Sequence, residues 1–179
     1  IDELRKLTGM PQAAGRIKIP ARVIGYFPLE NRLTISVGTS SQVKPGLAVV
    51  ASDGLVGVVQ TADAKTAQVR LLSSPRPFMI GATVVRKAST PEADAKSASV
   101  SGLMHGEAPD RLTVEFLDMN APIDIGDLVV TSGFSELIPR DIPIGRIVQV
   151  YKDDEFGTRV AQVFPAVSLG RVREVVVLR

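Results

Sequence analysis

The chain carries one histidine, His105. A zinc site of the H-E-x-x-H kind needs two on one helical face. A serine hydrolase needs its histidine beside a nucleophile and an orienting acid. His105 stands between Met104 and Gly106, at the end of a predicted strand and ahead of an Asp-Arg turn, where a plain hairpin-end residue is expected. Ser135 lies in G-F-S-E-L, which lacks the final glycine of a nucleophile elbow. No glycine-rich loop runs into a lysine, so there is no P-loop. Cysteine is absent, which removes thiolate chemistry and disulfides. Asp153, Asp154 and Glu155, in K-D-D-E-F-G, suit a solvated hairpin turn closing on Gly157 and lack the spacing of a calcium loop. Asp124 and Asp127 flank Gly126, where short carboxylates cap backbone groups of a turn. The sequence therefore offers no catalytic residue, no metal ligand and no cofactor-binding residue.

Composition agrees with a protein that works through its surface. Of 179 residues, 45% are apolar and 22% charged, with 15 Gly and 12 Pro, which is enough to bury a core and make many turns. The net charge is only +2, and no run of Lys or Arg marks a nucleic-acid face. No stretch of about 18 apolar residues is present to span a bilayer. The chain begins at Ile1 rather than at a methionine, so a fragment with an anchor upstream is expected.

Residues 1–8 read as the last turns of a helix, with Ile1, Leu4 and Leu7 on one side, an Asp2–Lys6 pair, and Gly9 and Pro11 to end it. From Ile17 onward the pattern is short strands. Six are predicted at Ala21–Tyr26, Arg32–Val37, Leu47–Ala51, Gly54–Thr61, Ala67–Leu72 and Gly81–Val85. Residues 87–96, rich in Ala, Ser and Thr, read as a connection. Six more strands follow at Ala98–Met104, Arg111–Leu117, Leu128–Thr131, Arg146–Tyr151, Val160–Phe164 and Glu174–Leu178. Turn signals at this spacing argue for an all-β protein of sandwiches or barrels.

The halves repeat one plan. R-L-T-I at 32–35 matches R-L-T-V at 111–114, an offset of 79. Gly46 with Val49-Val50 matches Gly126 with Val129-Val130, an offset of 80; Gly57 matches Gly145, an offset of 88; and A-Q-V at 67–69 matches A-Q-V at 161–163, an offset of 94. The offset grows only across loops, as a duplicated small barrel requires. The expected division is a helix end and linker over 1–15, a first six-stranded barrel over 16–97 and a second over 98–179. Two barrels of this kind invite comparison with chymotrypsin-like proteases, whose histidine base belongs in the first barrel; the first half here has none. That leaves a degenerate or cryptic serine hydrolase as the alternative to a non-enzymatic protein. Two loops stand out for apolar residues, Phe78 and Met79 in S-P-R-P-F-M-I, and Phe134, Leu137 and Ile138 in the loop to Ile142. Such residues plug barrel ends or contact partners.

Taken in order, L-T-I-x-x-G at 33–38, V-K-P-G-L-A-V-V at 43–50, D-G-L-V-G-V-V at 53–59, I-G-D-L-V-V-T-S-G at 125–133, I-P-I-G-R-I at 142–147 and L-G-R-V-R-E-V-V-V-L at 169–178 resemble the extracytoplasmic region of the MreC family of bacterial rod shape-determining proteins. The resemblance implies two six-stranded barrels in a chymotrypsin-like arrangement without catalytic residues. It also implies a cytoplasmic tail, a single inner-membrane helix and a coiled coil upstream of Ile1, and a periplasmic location for this part. In that family the barrels need not be sequential, so the strand at 21–26 can complete the second barrel and leave the other as an insertion. The implied role is a scaffold of cell-wall elongation that organises peptidoglycan synthases. The implied partners are the class B penicillin-binding transpeptidase of elongation, MreD, the actin-like MreB and further copies of itself. On this reading Phe78, Met79, Phe134, Leu137 and Ile138 are the residues at which partner contacts are expected.

Overall fold

The computed structural model describes residues 16–85, 100–118, 120–133 and 135–179. The helix expected over 1–8 and the connection at 87–96 lie outside them. Twelve strands follow one another: β1 (Lys18–Phe27), β2 (Arg32–Ile35), β3 (Ala48–Ala51), β4 (Gly54–Ala62), β5 (Ala67–Leu71), β6 (Ile80–Val85), β7 (Val100–Ala108), β8 (Arg111–Phe116), β9 (Leu128–Thr131), β10 (Pro143–Asp153), β11 (Thr158–Pro165) and β12 (Glu174–Leu178). All strand pairs are antiparallel and close into two six-stranded barrels. Closure leaves neither sheet an open edge.

The duplication predicted from R-L-T and A-Q-V holds at the level of register. Leu33 faces Val69 and Thr34 faces Gln68 across β2–β5. Leu112 faces Val163 and Thr113 faces Gln162 across β8–β11. The paired glycines do the same work in both copies. Gly46 has φ +97° and Gly126 φ +96°, a region L side chains avoid. The amide of Gly46 donates to Val59 O at 2.8 Å, and that of Gly126 to Ile147 O at 2.8 Å.

The barrels do not divide the chain as expected. One is ordered β1-β12-β3-β4-β5-β2, the other β10-β11-β8-β7-β6-β9. β6, expected to close the first barrel, pairs with β7 and β9 of the second. β12, expected in the second, pairs with β1 and β3 of the first. β1 pairs with the C-terminal strand β12, and the other barrel, β6 to β11, is an insertion between β5 and β12, as the alternative arrangement expected; the strands that complete the barrel of β1 and β12 are β2 to β5 and not β7 to β11. Each repeat of six strands thus lends its sixth strand to the other repeat's barrel. The sequence left this open because E-V-V-V-L and I-G-A-T-V-V are apolar strands of similar length that suit either site.

Burial shows where the barrels meet. β5 alternates strictly between buried and half-buried residues, as a strand with one wet face does. β3 is buried at every position, β4 from Gly54 to Val59, and β12 from Val175 to Leu178. Strands without a wet face are covered on both sides. β4 is in contact with β10. A Cβ at Gly54 would collide with the Pro143 backbone, so only glycine permits this approach. The buried side chains form one continuous cluster through both barrels.

Candidate partner-binding surface

The two loops singled out in the sequence flank the junction of the barrels. Residues 72–79 carry the chain from β5 of one barrel to β6 of the other. Phe78 and Met79 are half-buried there. Phe78 packs on the core, with the Arg70 guanidinium 5.4 Å from its ring centroid. The second loop follows β9 and is pinned by Thr131. The buried Thr131 hydroxyl donates to Pro139 O at 2.6 Å and accepts from the Ile142 amide at 3.0 Å. Leu137 and Ile138 are half-buried against the core. Leu137 reaches across to the first barrel, where a Cβ on Gly46 would come within 2.6 Å of its Cδ1. Phe134 lies outside the described residues. The structure brings Phe78, Leu137 and Ile138 onto the core that joins the barrels and leaves part of each accessible.

His105 is not a hairpin-end residue. β7 runs on to Ala108, through a bulge opposite β8, and places His105 opposite Thr113. Its Nδ1 is 3.3 Å from Gly106 O, and Nε2 has no hydrogen-bond partner among the described residues. Nε2 lies 3.9 Å from Glu115 Oε1, and Glu115 is itself ion-paired to Arg76. A hydrolase needs a histidine hydrogen-bonded to its nucleophile; neither ring nitrogen of His105 bonds a serine hydroxyl among the described residues. Nearby, burial first, then the charges of Glu107, Asp153 and Glu115, raise the Tyr151 phenol above its ordinary 10.0, against a lowering hydrogen bond with Gln162. Among the described residues no three His, Asp or Glu side chains are grouped to hold a metal ion. No helix among them is long and apolar enough to cross a membrane.

The more exposed apolar side chains are ones the loop argument missed. Leu29 is 98% exposed at the β1–β2 tip and Phe164 57% exposed on β11. Leu117, Ile125 and Phe156 are exposed at loops of the second barrel. Phe164 had a sequence signal: in A-Q-V-F the alternation that turns Ala161 and Val163 inward turns Gln162 and Phe164 out. Leu29 follows Pro28 in a three-residue turn and had none.

Residues 25–179 match the family described as rod shape-determining protein MreC, barrel core. The cell shape-determining protein MreC of Listeria monocytogenes is 31% identical over 89% of this chain; the match spans 52% of that protein, so the chain covers about half of its curated relative. The solved MreC of Listeria monocytogenes superposes with a TM-score of 0.79 at 27% identity, covering 98% of this chain and 81% of that one. The fold is also shared, with a TM-score of 0.67 at 16% identity, by a complex between penicillin-binding protein PBP2 and MreC from Helicobacter pylori, covering 92% of this chain and 99% of that one. The chain belongs to the MreC family of rod shape-determining proteins and comprises its barrel core.

Proposed function

We propose that this chain is the extracytoplasmic part of a non-enzymatic scaffold of bacterial cell-wall elongation. It holds peptidoglycan synthases in place and ties them to the membrane, and so maintains rod shape. The observation that carries this reading is membership of a family named for determining cell shape. The Helicobacter pylori neighbour, a complex of penicillin-binding protein PBP2 with MreC, supports an elongation transpeptidase as the partner. The anchor, and the contacts with MreD and MreB, belong to sequence upstream of Ile1, and the chain also associates with further copies of itself. On this reading Phe78, Met79, Phe134, Leu137 and Ile138 contribute the transpeptidase contact.

The test is rescue of cell shape. In a rod-shaped bacterium depleted of its own homologue, the full-length protein restores rods. Versions carrying Phe78→Ser or Leu137→Ser, present at normal level, leave round cells. Rescue by a version without the barrels would overturn the reading.

A further inference from the structure

The duplication shows what one of its two crossovers does when nothing intervenes. Across β7–β8, Gly106 stands opposite Leu112; across β1–β2, Tyr26 stands opposite Leu33. Leu33 and Leu112 are the matching leucines of the R-L-T repeats, so Tyr26 occupies the place of Gly106. The A-Q-V match likewise puts Ser168, in the crossover from β11 to β12, in the place of Ser74, in the crossover from β5 to β6.

At Gly106 the first crossover closes onto its barrel. A Cβ there would collide with the Ser73 backbone, and the Gly106 amide donates to Ser74 O at 2.8 Å. At Tyr26 the second crossover stands off. A Cβ at Gly170 would meet the Tyr26 ring at 3.3 Å, so the ring props the segment outward. The result is a cleft of about 420 Å³ between β1, the β7–β8 turn and the crossover. Its size is within the range of ligand sites, which favour domain junctions. Val167, Ser168, Leu169 and Gly170 line it, and among the described residues nothing accepts from their four amides. The Val167 and Leu169 side chains are buried, 5% and 3% exposed, so this backbone is anchored in place. Phe164 forms another wall, and Asp110 and Arg171, both exposed, also line the cleft.

Residues 168–171 form a turn closed by the Arg171 amide on Ser168 O at 2.9 Å, so an incoming main chain would pair with the amides of this turn beside the aromatic walls and not with a strand edge. Backbone pairing supplies affinity in such sites and side-chain pockets supply selectivity. We propose that this cleft binds an extended segment of a partner protein, with an apolar or aromatic side chain between Tyr26 and Phe164 and a carboxylate at Arg171. The site is separate from the loops assigned to the transpeptidase and does not depend on that reading.

The test uses peptides selected from a random dodecapeptide phage library on the immobilised chain. Selected peptides are expected to carry an apolar or aromatic residue near an acidic one. Their synthetic forms, added to the isotope-labelled protein, shift the amide resonances of 167–170 and slow their hydrogen exchange. Phe164→Asp and Ala166→Arg alter exposed side chains at the cleft. Each is expected to weaken binding by about tenfold or more with the melting temperature unchanged. Tyr26→Gly, which lets the crossover close as it does at Gly106, abolishes binding. The proposal is overturned if no peptide is enriched, or if enriched peptides leave the amides of 167–170 unshifted. It is equally overturned if they bind Phe164→Asp and Ala166→Arg within about twofold of the parent. A chain that loses these peptides while keeping its transpeptidase contact separates the two sites.

Discussion

Reciprocal exchange of β6 and β12 predicts that neither barrel unfolds alone. Val177 on β12 and Val84 on β6 are both 0% exposed. Replacing either by alanine removes two methyl groups, about 1.6 kcal/mol of transfer free energy. The residual cavity raises the cost to about 2–3 kcal/mol, because a packed barrel relaxes only partly. In a chain of this size that is a drop in melting temperature of about 5–10 °C. Val177 belongs by sequence to the second repeat and by pairing to the first barrel; Val84 is the converse. The chain has no tryptophan and two tyrosines, Tyr26 on the first barrel and Tyr151 on the second. Urea unfolding followed by tyrosine fluorescence in Tyr151→Phe and Tyr26→Phe backgrounds therefore reports each barrel separately. The expected result is one midpoint for both reporters in the parent, displaced equally by Val177→Ala and by Val84→Ala. If Val177→Ala moved the Tyr26 transition and left the Tyr151 transition in place, the barrels would be independent and the reasoning wrong.

Two further predictions use the duplication and the electrostatics. Gly46→Ala and Gly126→Ala each force an L side chain into φ near +97° and +96°, at about 1–2 kcal/mol. At Gly126 nothing lies within 4 Å of the new Cβ, whereas at Gly46 it meets Leu137. Gly46→Ala should therefore cost more, by up to about 1 kcal/mol because Leu137 Cδ1 is the far end of a flexible, half-buried side chain, and adding Leu137→Ala should recover that excess in a double-mutant cycle. The Tyr151 phenol is held above 10.0, so the fold favours its neutral form. Its contribution is whole below pH 10 and is lost as pH rises through the raised value, when a phenolate must form beside Glu107, Asp153 and Glu115. Denaturant melts above pH 10 should show this alkaline loss, and Tyr151→Phe should reduce it.

Much of the fold was legible because strands announce themselves by period two and by glycine and proline punctuation. Every predicted strand is present, with ends displaced by a few residues. β10 begins at Pro143, which is tolerated as a first strand residue, and β7 runs past His105 because Gly106 to Ala108 continue pairing with β8. The exchange of β6 and β12 was not legible, since apolar pattern selects a face and not a barrel. The continuous runs L-V-G-V-V and V-V-V-L did carry a signal: a strand with no polar side is covered twice, and β4 lies against β10 of the other barrel. For the site, apolar loop residues were identified by type, but their half-burial came from tertiary packing that local sequence does not encode. The substitution of Tyr26 for Gly106 was visible only once register aligned the two repeats.

On the proposed reading this chain acts by binding and not by catalysis. The most direct test is sedimentation velocity of residues 1–179 over a range of concentrations, alone and then with the periplasmic domain of the cognate elongation transpeptidase. The account predicts a faster boundary containing both proteins, diminished by Phe78→Ser and Leu137→Ser. Two independent boundaries at every concentration, from proteins shown to be folded, would contradict it.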